Sequence, residues 1–439
     1  MLRDRPRPSA RHSAHAGTGS THTHINYVNV ICFRSFVIGT RSSPRASGLQ
    51  SKMTTRRLVA FALVGVSAVR ESDENESLVT LEYSKLVAGH DYAATVARAY
   101  AHDGLGILAV VGVPDGMVDA PRRRLLTLGR KLALSPPKAL AAYEREDLSF
   151  ANGWSHGREV FRGRPDTTKG SWYAHALEDA PSEGDASAAR FPMITGTNRW
   201  PTDLVGPDFE ASFKELGRVL YDLAAHVLTN ADAAVEAANP HAPRGALLNA
   251  THGRSRLHVG RLLHYYAPDD NAEPAEPSDA ASWCGWHNDN SVITVLPPAM
   301  WLVEASGEAV ARDACPTGGL MVRTRQGHTV DVVVPPGAVL FQLGEAAQIL
   351  TGGALMATPH AVRRGAPGLS REAFALFVQP HWDHAIGRDE TLHALHTADA
   401  KNGDVIPPLS RRLRVLPVEF GRFLSDSYLE YYERSRVAE

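Results

Sequence analysis

The sequence predicts a mainly β fold with helices at both ends, an α+β chain built round a jelly roll. Three observations predict it. After Arg256 the apolar pattern alternates with period 2 and turn residues recur, which is how successive short strands read. Those strands follow one another without alternating helices, the pattern of a closed or double-sheet β structure. The region is flanked by helical sequence, a long amphipathic stretch at Asp208 to Ala238 before it and about 50 residues of helical composition after it.

Element by element, Leu78-Val79-Thr80-Leu81-Glu82-Tyr83 reads as the first strand, followed by a helix from Tyr92 to Ala101 and an apolar strand from Gly106 to Val111. Pro121 to Leu134 is expected as an amphipathic helix with Arg122, Arg123, Arg124 and Arg130 on its wet side. The polar, glycine-bearing stretch Phe150 to Ala176 is expected as loops over a site. In Asp208 to Ala238, Phe213, Leu216, Val219, Leu220, Leu223 and Val227 fall on one apolar face. Strands are then expected at Leu257 to Tyr266, Gly285 to Leu296, Gly319 to Thr324, Thr329 to Val334, Ala338 to Leu343, Thr358 to Val362 and Ala373 to Val378. Gln326-Gly327 and Pro335-Pro336-Gly337 punctuate them as turns. Phe420 to Arg434 closes the chain as a helix.

This order divides the chain into a disordered leader (1–76), a helical region with substrate loops (77–250), a jelly-roll core (251–385) and a C-terminal helical extension (386–439). The leader differs sharply from the body. Residues 1–70 hold eleven basic residues and one acidic residue, Asp4, among many Ser, Thr and His. Arg-rich, acid-poor composition is the signature of a transit peptide, so a plastid or mitochondrial destination is one expectation and the cytoplasm the other. Met53 is an alternative start in the second case. The remaining 369 residues carry 35 basic and 47 acidic groups, or -12. An acidic body argues against nucleic acid as a partner. Three cysteines, Cys32, Cys284 and Cys315, cannot staple 439 residues, which points to free thiols inside a cell. No apolar run approaches the roughly 18 residues of a membrane span; Leu58 to Val69, the longest, has 12.

The chemistry lies in Trp286-His287-Asn288-Asp289. On a strand, alternate residues share a face, so His287 and Asp289 present an imidazole and a carboxylate together. Another strand, 71 residues beyond Asp289, carries His360. Two histidines and a carboxylate on a barrel wall make a facial triad that leaves three positions of an octahedral Fe(II) open, enough for a chelating cosubstrate and O2. Arg371 enters the next strand, where a guanidinium can grip a dicarboxylate's far end. A second His-x-Asp, His381-Trp382-Asp383, has no later His and Arg on a strand and reads as structural.

Gly285-Trp286-His287-Asn288-Asp289, Gly319-Leu320-Met321-Val322-Arg323, Pro336-Gly337, Gln342-Leu343-Gly344-Glu345, Ala357-Thr358-Pro359-His360 and Arg371 together resemble the 2-oxoglutarate/Fe(II)-dependent oxygenases, in particular the isopenicillin-N-synthase-like branch. Gly153-Trp154-Ser155-His156-Gly157 and Phe374 to Pro380 look like a plant and algal subgroup within it. The resemblance runs in order through about Leu262 to Pro380 and implies a double-stranded β-helix core. It implies His287, Asp289 and His360 as iron ligands, with Arg371 and Tyr266 holding the C5 carboxylate of 2-oxoglutarate. It further implies an oxidoreductase that uses Fe(II), 2-oxoglutarate and O2 on a small molecule and releases succinate and CO2. The oligomeric state is open. One departure is Ala373, where the family has Ser or Thr; a lost hydrogen bond there costs about 1 kcal/mol. Another is Pro298 to Pro316, longer than a hairpin, which reads as a lid or a surface excursion.

Other chemistries are weaker. Cys284-x-x-His287 lacks a second pair with zinc-finger spacing. Gly153-Trp154-Ser155-His156-Gly157 matches a nucleophile elbow in letters but has neither the apolar strand before it nor the helix after it. Gly104-Leu105-Gly106 lacks the third glycine of a dinucleotide loop. His156, Arg158, Lys169 and Tyr173 are expected as loop residues near the site, His258 and His264 as core histidines, and Trp286 and Trp301 as packing residues. A catalytically silent binding or sensor protein on the same scaffold is the rival from another class, and an iron oxidase that needs no 2-oxo acid is disfavoured by Arg371.

Overall fold

The Val79–Glu82 strand pairs in parallel with Ile107–Val111 and opens a ten-stranded sheet. From there the sheet passes antiparallel through Val339–Leu343, Ile293–Leu296, Leu369–Val378, Val259–Tyr265, Lys169–His175 and Gly153–His156. Met300–Val303 adds to one side of Leu369–Val378 and itself pairs with Ala309–Val310. A four-stranded sheet, Thr329–Asp331, Gly319–Arg323, His360–Arg363 and Ser282–His287, completes the jelly roll. The computed structural model describes residues 77–161, 164–239, 242–268, 282–315, 318–399 and 406–437. The leader, with Met53 and Cys32, lies outside them. All described residues belong to one compact unit, and no helix among them is long and apolar enough to cross a membrane.

The long helix forms over Asp208–Ala238 as its periodicity predicts. Its buried face presents Phe209, Phe213, Leu216, Leu220, Leu223 and Val227 to the large sheet and to the Asp115–Ala133 helix. Phe213 meets Phe374 edge to face, with ring centroids 5.1 Å apart, an arrangement the ring quadrupoles favour. The contact is so close that a Cβ on Gly260 would lie 2.6 Å from the Phe213 ring and 2.8 Å from Phe374. The Asp115–Ala133 helix starts earlier than its apolar pattern indicates and runs through Pro121. Arg122, expected on its wet side, is instead buried and donates to the Pro298 carbonyl at 2.9 Å.

Three larger expectations need correction. The run Gly285 to Leu296 is two strands in different sheets, Ser282–His287 and Ile293–Leu296, because the chain crosses the barrel between them. Phe150 to Ala176 is not a set of loops: Gly153–His156 and Lys169–His175 are strands that extend the large sheet past Val259–Tyr265. Region 77–250 therefore supplies four strands of the large sheet as well as helices. Polar residues hid the strands in 150–176, since one of their faces carries Ser155, Lys169, Ser171 and Tyr173.

Gly260→Ala should lower stability by about 1–3 kcal/mol through overpacking, read from chemical unfolding. Combining it with Phe213→Leu should recover part of that loss, because the ring that crowds the new methyl is gone.

Candidate metal centre

His287 ends one strand of the small sheet and His360 begins its neighbour, and the two are direct cross-strand partners. Their ring centroids lie 4.2 Å apart. Asp289 follows at the start of the crossing turn. Donor atoms of the three residues lie within 4.8 Å of one another. His287 Nε2 stands 3.7 Å from Asp289 Oδ1, and His360 Nε2 stands 3.7 Å from Oδ2. Such gaps are too wide for hydrogen bonds and suit groups sharing one ion.

Neighbours point the donors inward. His287 Nδ1 donates to the Gly285 carbonyl at 2.8 Å, which leaves Nε2 with its lone pair for a metal. Thr294 Oγ1 donates to Asp289 Oδ2 at 2.6 Å and lies 3.0 Å from Ser291 Oγ. His360 Nδ1 lies 2.8 Å from Gln342 Nε2, while Gln342 Oε1 is buried with no partner. Turning the amide end for end gives Oε1 an N–H to accept from Nδ1 and again frees Nε2. Burial lowers the His360 pKa to about 4, with the neighbouring His287 adding to the effect, so this imidazole is neutral, as a ligand must be. Burial opposes charge on His287 too, but Cys284 and Asp289 outweigh it and raise that pKa to about 9. A cation between the rings would compete with that proton for the same lone pair.

The three donors open onto a cavity of about 250 Å³. Leu263, Leu296, Leu340 and Val362 give it apolar walls, and Arg371 lies among its lining. The Arg371 guanidinium sits 5.1 Å from the Tyr265 ring centroid and 5.8 Å from that of Trp301. Ala373 lines the same wall and brings no hydroxyl.

Tyr266 is not brought to this cavity. Its ring packs on His264 and His156, and its hydroxyl lies 3.4 Å from the Ala133 carbonyl. Tyr265, directly opposite Arg371 in the sheet, stands where Tyr266 was expected. Adjacent strand residues face opposite sides, so the expectation missed by one position. Trp301, expected only as packing, lines the cavity, as its pairing with Arg371 requires. No motif marks Thr294, and the motif that holds Gln342 gives it no role; each comes to the triad through strand pairing.

The other candidates settle elsewhere. His381 Nδ1 lies 2.5 Å from Asp383 Oδ1, and Asp383 pairs with Arg254 at 2.9 Å. That His-x-Asp is a structural ion cluster. Ser155 lies within a strand facing Ser171 and not on an elbow. Lys169 is buried between Glu159 and Asp166, Tyr173 donates to Glu159, and Arg158 pairs with Glu144. His156 reaches the Thr167 carbonyl. His264, on the far side of the sheet from the triad, bonds Glu372 at 2.6 Å.

Neither a family model nor a curated protein sequence matches the chain. Solved structures do. A 2OG-Fe(II) oxygenase family protein from Caulobacter crescentus superposes with a TM-score of 0.53 at 20% identity, covering 72% of this chain and 90% of that one. A full-length Neurospora crassa protein in complex with α-ketoglutarate and thymine gives 0.54 at 17% identity, covering 73% and 91%. JOX2 in complex with 2OG, Fe and JA gives 0.52 at 18% identity, covering 80% and 85%. The fold is that of the 2-oxoglutarate/Fe(II) oxygenases. The cavity then lies between the strands of the two sheets that make up this fold's double-stranded β-helix.

Removing the Gln342 partner of His360 Nδ1, which leaves only the longer 3.3 Å contact to the Thr358 carbonyl, should loosen the metal site. Gln342→Leu is expected to weaken Mn(II) binding about 10–100-fold, measured from the EPR signal of free Mn(II), whereas Gln342→Glu keeps an acceptor and should retain it.

Proposed function

We propose that the protein is a non-haem Fe(II)/2-oxoglutarate-dependent oxygenase that oxidises a small molecule with release of succinate and CO2. One observation carries this reading: a single cavity is lined both by a two-histidine, one-carboxylate donor set and by a guanidinium with no carboxylate partner among the described residues. The donor set fits Fe(II), since it offers two imidazole nitrogens and one carboxylate with the cavity side left open.

In this reading His287, Asp289 and His360 hold the iron, which when bound with 2-oxoglutarate and O2 supplies the oxidising chemistry. Arg371 takes the distal carboxylate of the 2-oxo acid with its planar fork. Its aromatic neighbours Tyr265 and Trp301 keep the cation in place without neutralising it, which leaves its charge for the ligand. The 2-oxo end then faces the triad. Leu263, Leu296, Leu340 and Val362 keep water from the space between, which strengthens every electrostatic contact there. Thr294 and Gln342 fix the ligand groups before anything binds.

The silent-scaffold alternative rests on Ala373 alone, while the intact donor set and the acid-free Arg371 favour the enzyme. Anaerobic addition of Fe(II) and 2-oxoglutarate should produce a weak visible charge-transfer band, and air should then yield succinate. Asp289→Ala should abolish both. Full succinate release by that variant would overturn the assignment.

A further inference from the structure

Between the Met300–Val303 and Gly319–Arg323 strands the chain makes the excursion that is too long for a hairpin. It contains a short 3-10 turn, Arg312–Ala314. Arg312 lines the cavity that also receives Arg371. Its guanidinium lies 5.4 Å from the Trp301 ring centroid, and Arg371 stacks on the same indole at 5.8 Å. Arg312 donates to the carbonyls of Cys315 and, at 2.6 Å, Gly318. Two bonds tie the group down and leave other N–H donors of its five.

No carboxylate pairs with Arg312 or with Arg371 among the described residues. Burial lowers the Arg371 pKa, Tyr265 opposes this, and the charge of Arg312 adds to the lowering. Two cations lining one cavity repel each other, the more weakly because Arg312 also meets solvent, and an anion between them removes that repulsion. On the same wall Ala373 presents a methyl group where a hydroxyl would otherwise complete the carboxylate's hydrogen bonds.

We propose that Arg312 is a second carboxylate-binding residue, closing with Arg371 on the distal carboxylate of the 2-oxo acid and replacing the contact that Ala373 cannot make. This rests on the function proposed above and gives the excursion a role in cosubstrate selection. Arg312 stays open to solvent, so its contribution falls with salt.

The test uses the full-length protein with Fe(II) under anaerobic conditions, titrated with 2-oxoglutarate and separately with 2-oxopentanoate, which lacks the distal carboxylate. The charge-transfer band reports binding. Arg312→Met should raise the Kd for 2-oxoglutarate on the order of tenfold, most strongly at low salt, and leave that for 2-oxopentanoate unchanged. Adding Ala373→Ser to Arg312→Met should recover part of the affinity. Arg312→Met binding 2-oxoglutarate within about twofold of the parent, while Arg371→Met has lost it, would overturn the role of Arg312 and leave the oxygenase reading standing. Equal weakening toward both acids would also overturn it, since a misplaced loop does not distinguish them. A parent protein that gives no band with 2-oxoglutarate would bring down both readings.

Discussion

The candidate site depends on one short chain crossing. His287 belongs to the small sheet and Ile293 to the large one, so residues 288–292 must turn across the end of the barrel while holding Asp289 in place. The helix turn at 344–346 grips this segment through its backbone. Gly344 N–H donates to Val292 O, Glu345 N–H to Asp289 O, and Ala346 N–H to Ser291 O. A side chain at Gly344 is impossible there, since its Cβ would lie 2.0 Å from Ser291 O. From the other side the Glu345 carboxylate accepts from Asn288, between the two ligand positions, at 3.1 Å.

Glu345 is itself fully buried and pairs with the fully buried Arg412 through two N–H···O bonds. Desolvating both ions is expensive unless their remaining donors and acceptors are used. Here the guanidinium also reaches Ser427 Oγ and the Pro407 carbonyl, each at 3.0 Å. The segment that reads as a C-terminal extension is thus wired to the metal-binding turn. Cutting it away would strand a buried carboxylate on the turn that carries Asp289.

Legibility tracked how far the partners lie apart in sequence. His287, Asp289, His360 and Arg371 could be found because residue type and strand context mark them, and the long helix because its apolar face repeats over 31 residues. What failed to show were properties of pairing. Tyr265 and Tyr266 are equivalent letters until the register with Arg371 chooses between them. Gln342 and Thr294 sit opposite each other on adjacent strands, far apart in the chain; the motif that holds Gln342 assigns it no partner, and nothing local marks Thr294. The strands of 150–176 were hidden for a related reason. One of their faces is polar where an apolar one was looked for, so alternation carries no apolar signal.

That polar face bears on how charge is divided in the molecule. Lys169 pairs with Glu159 and Asp166, and Arg261 with Glu159 at 2.5 Å, so two cations and two acids neutralise one another along the wall beyond Leu263. The wall can offer hydrogen bonds but little net charge. Among the described residues that line the cavity, positive charge without a carboxylate partner lies around Trp301, at Arg371 and Arg312, while the carboxylate of Asp289 belongs to the donor set. In the function proposed above, with a cation bound at the triad, such a cavity would suit a ligand that carries an anionic group for Arg371 and a chelating function for the metal. The excursion supplies Arg312 and the crossing turn, held through Glu345 and Arg412, supplies Asp289, which is why no single motif in the sequence displays the arrangement.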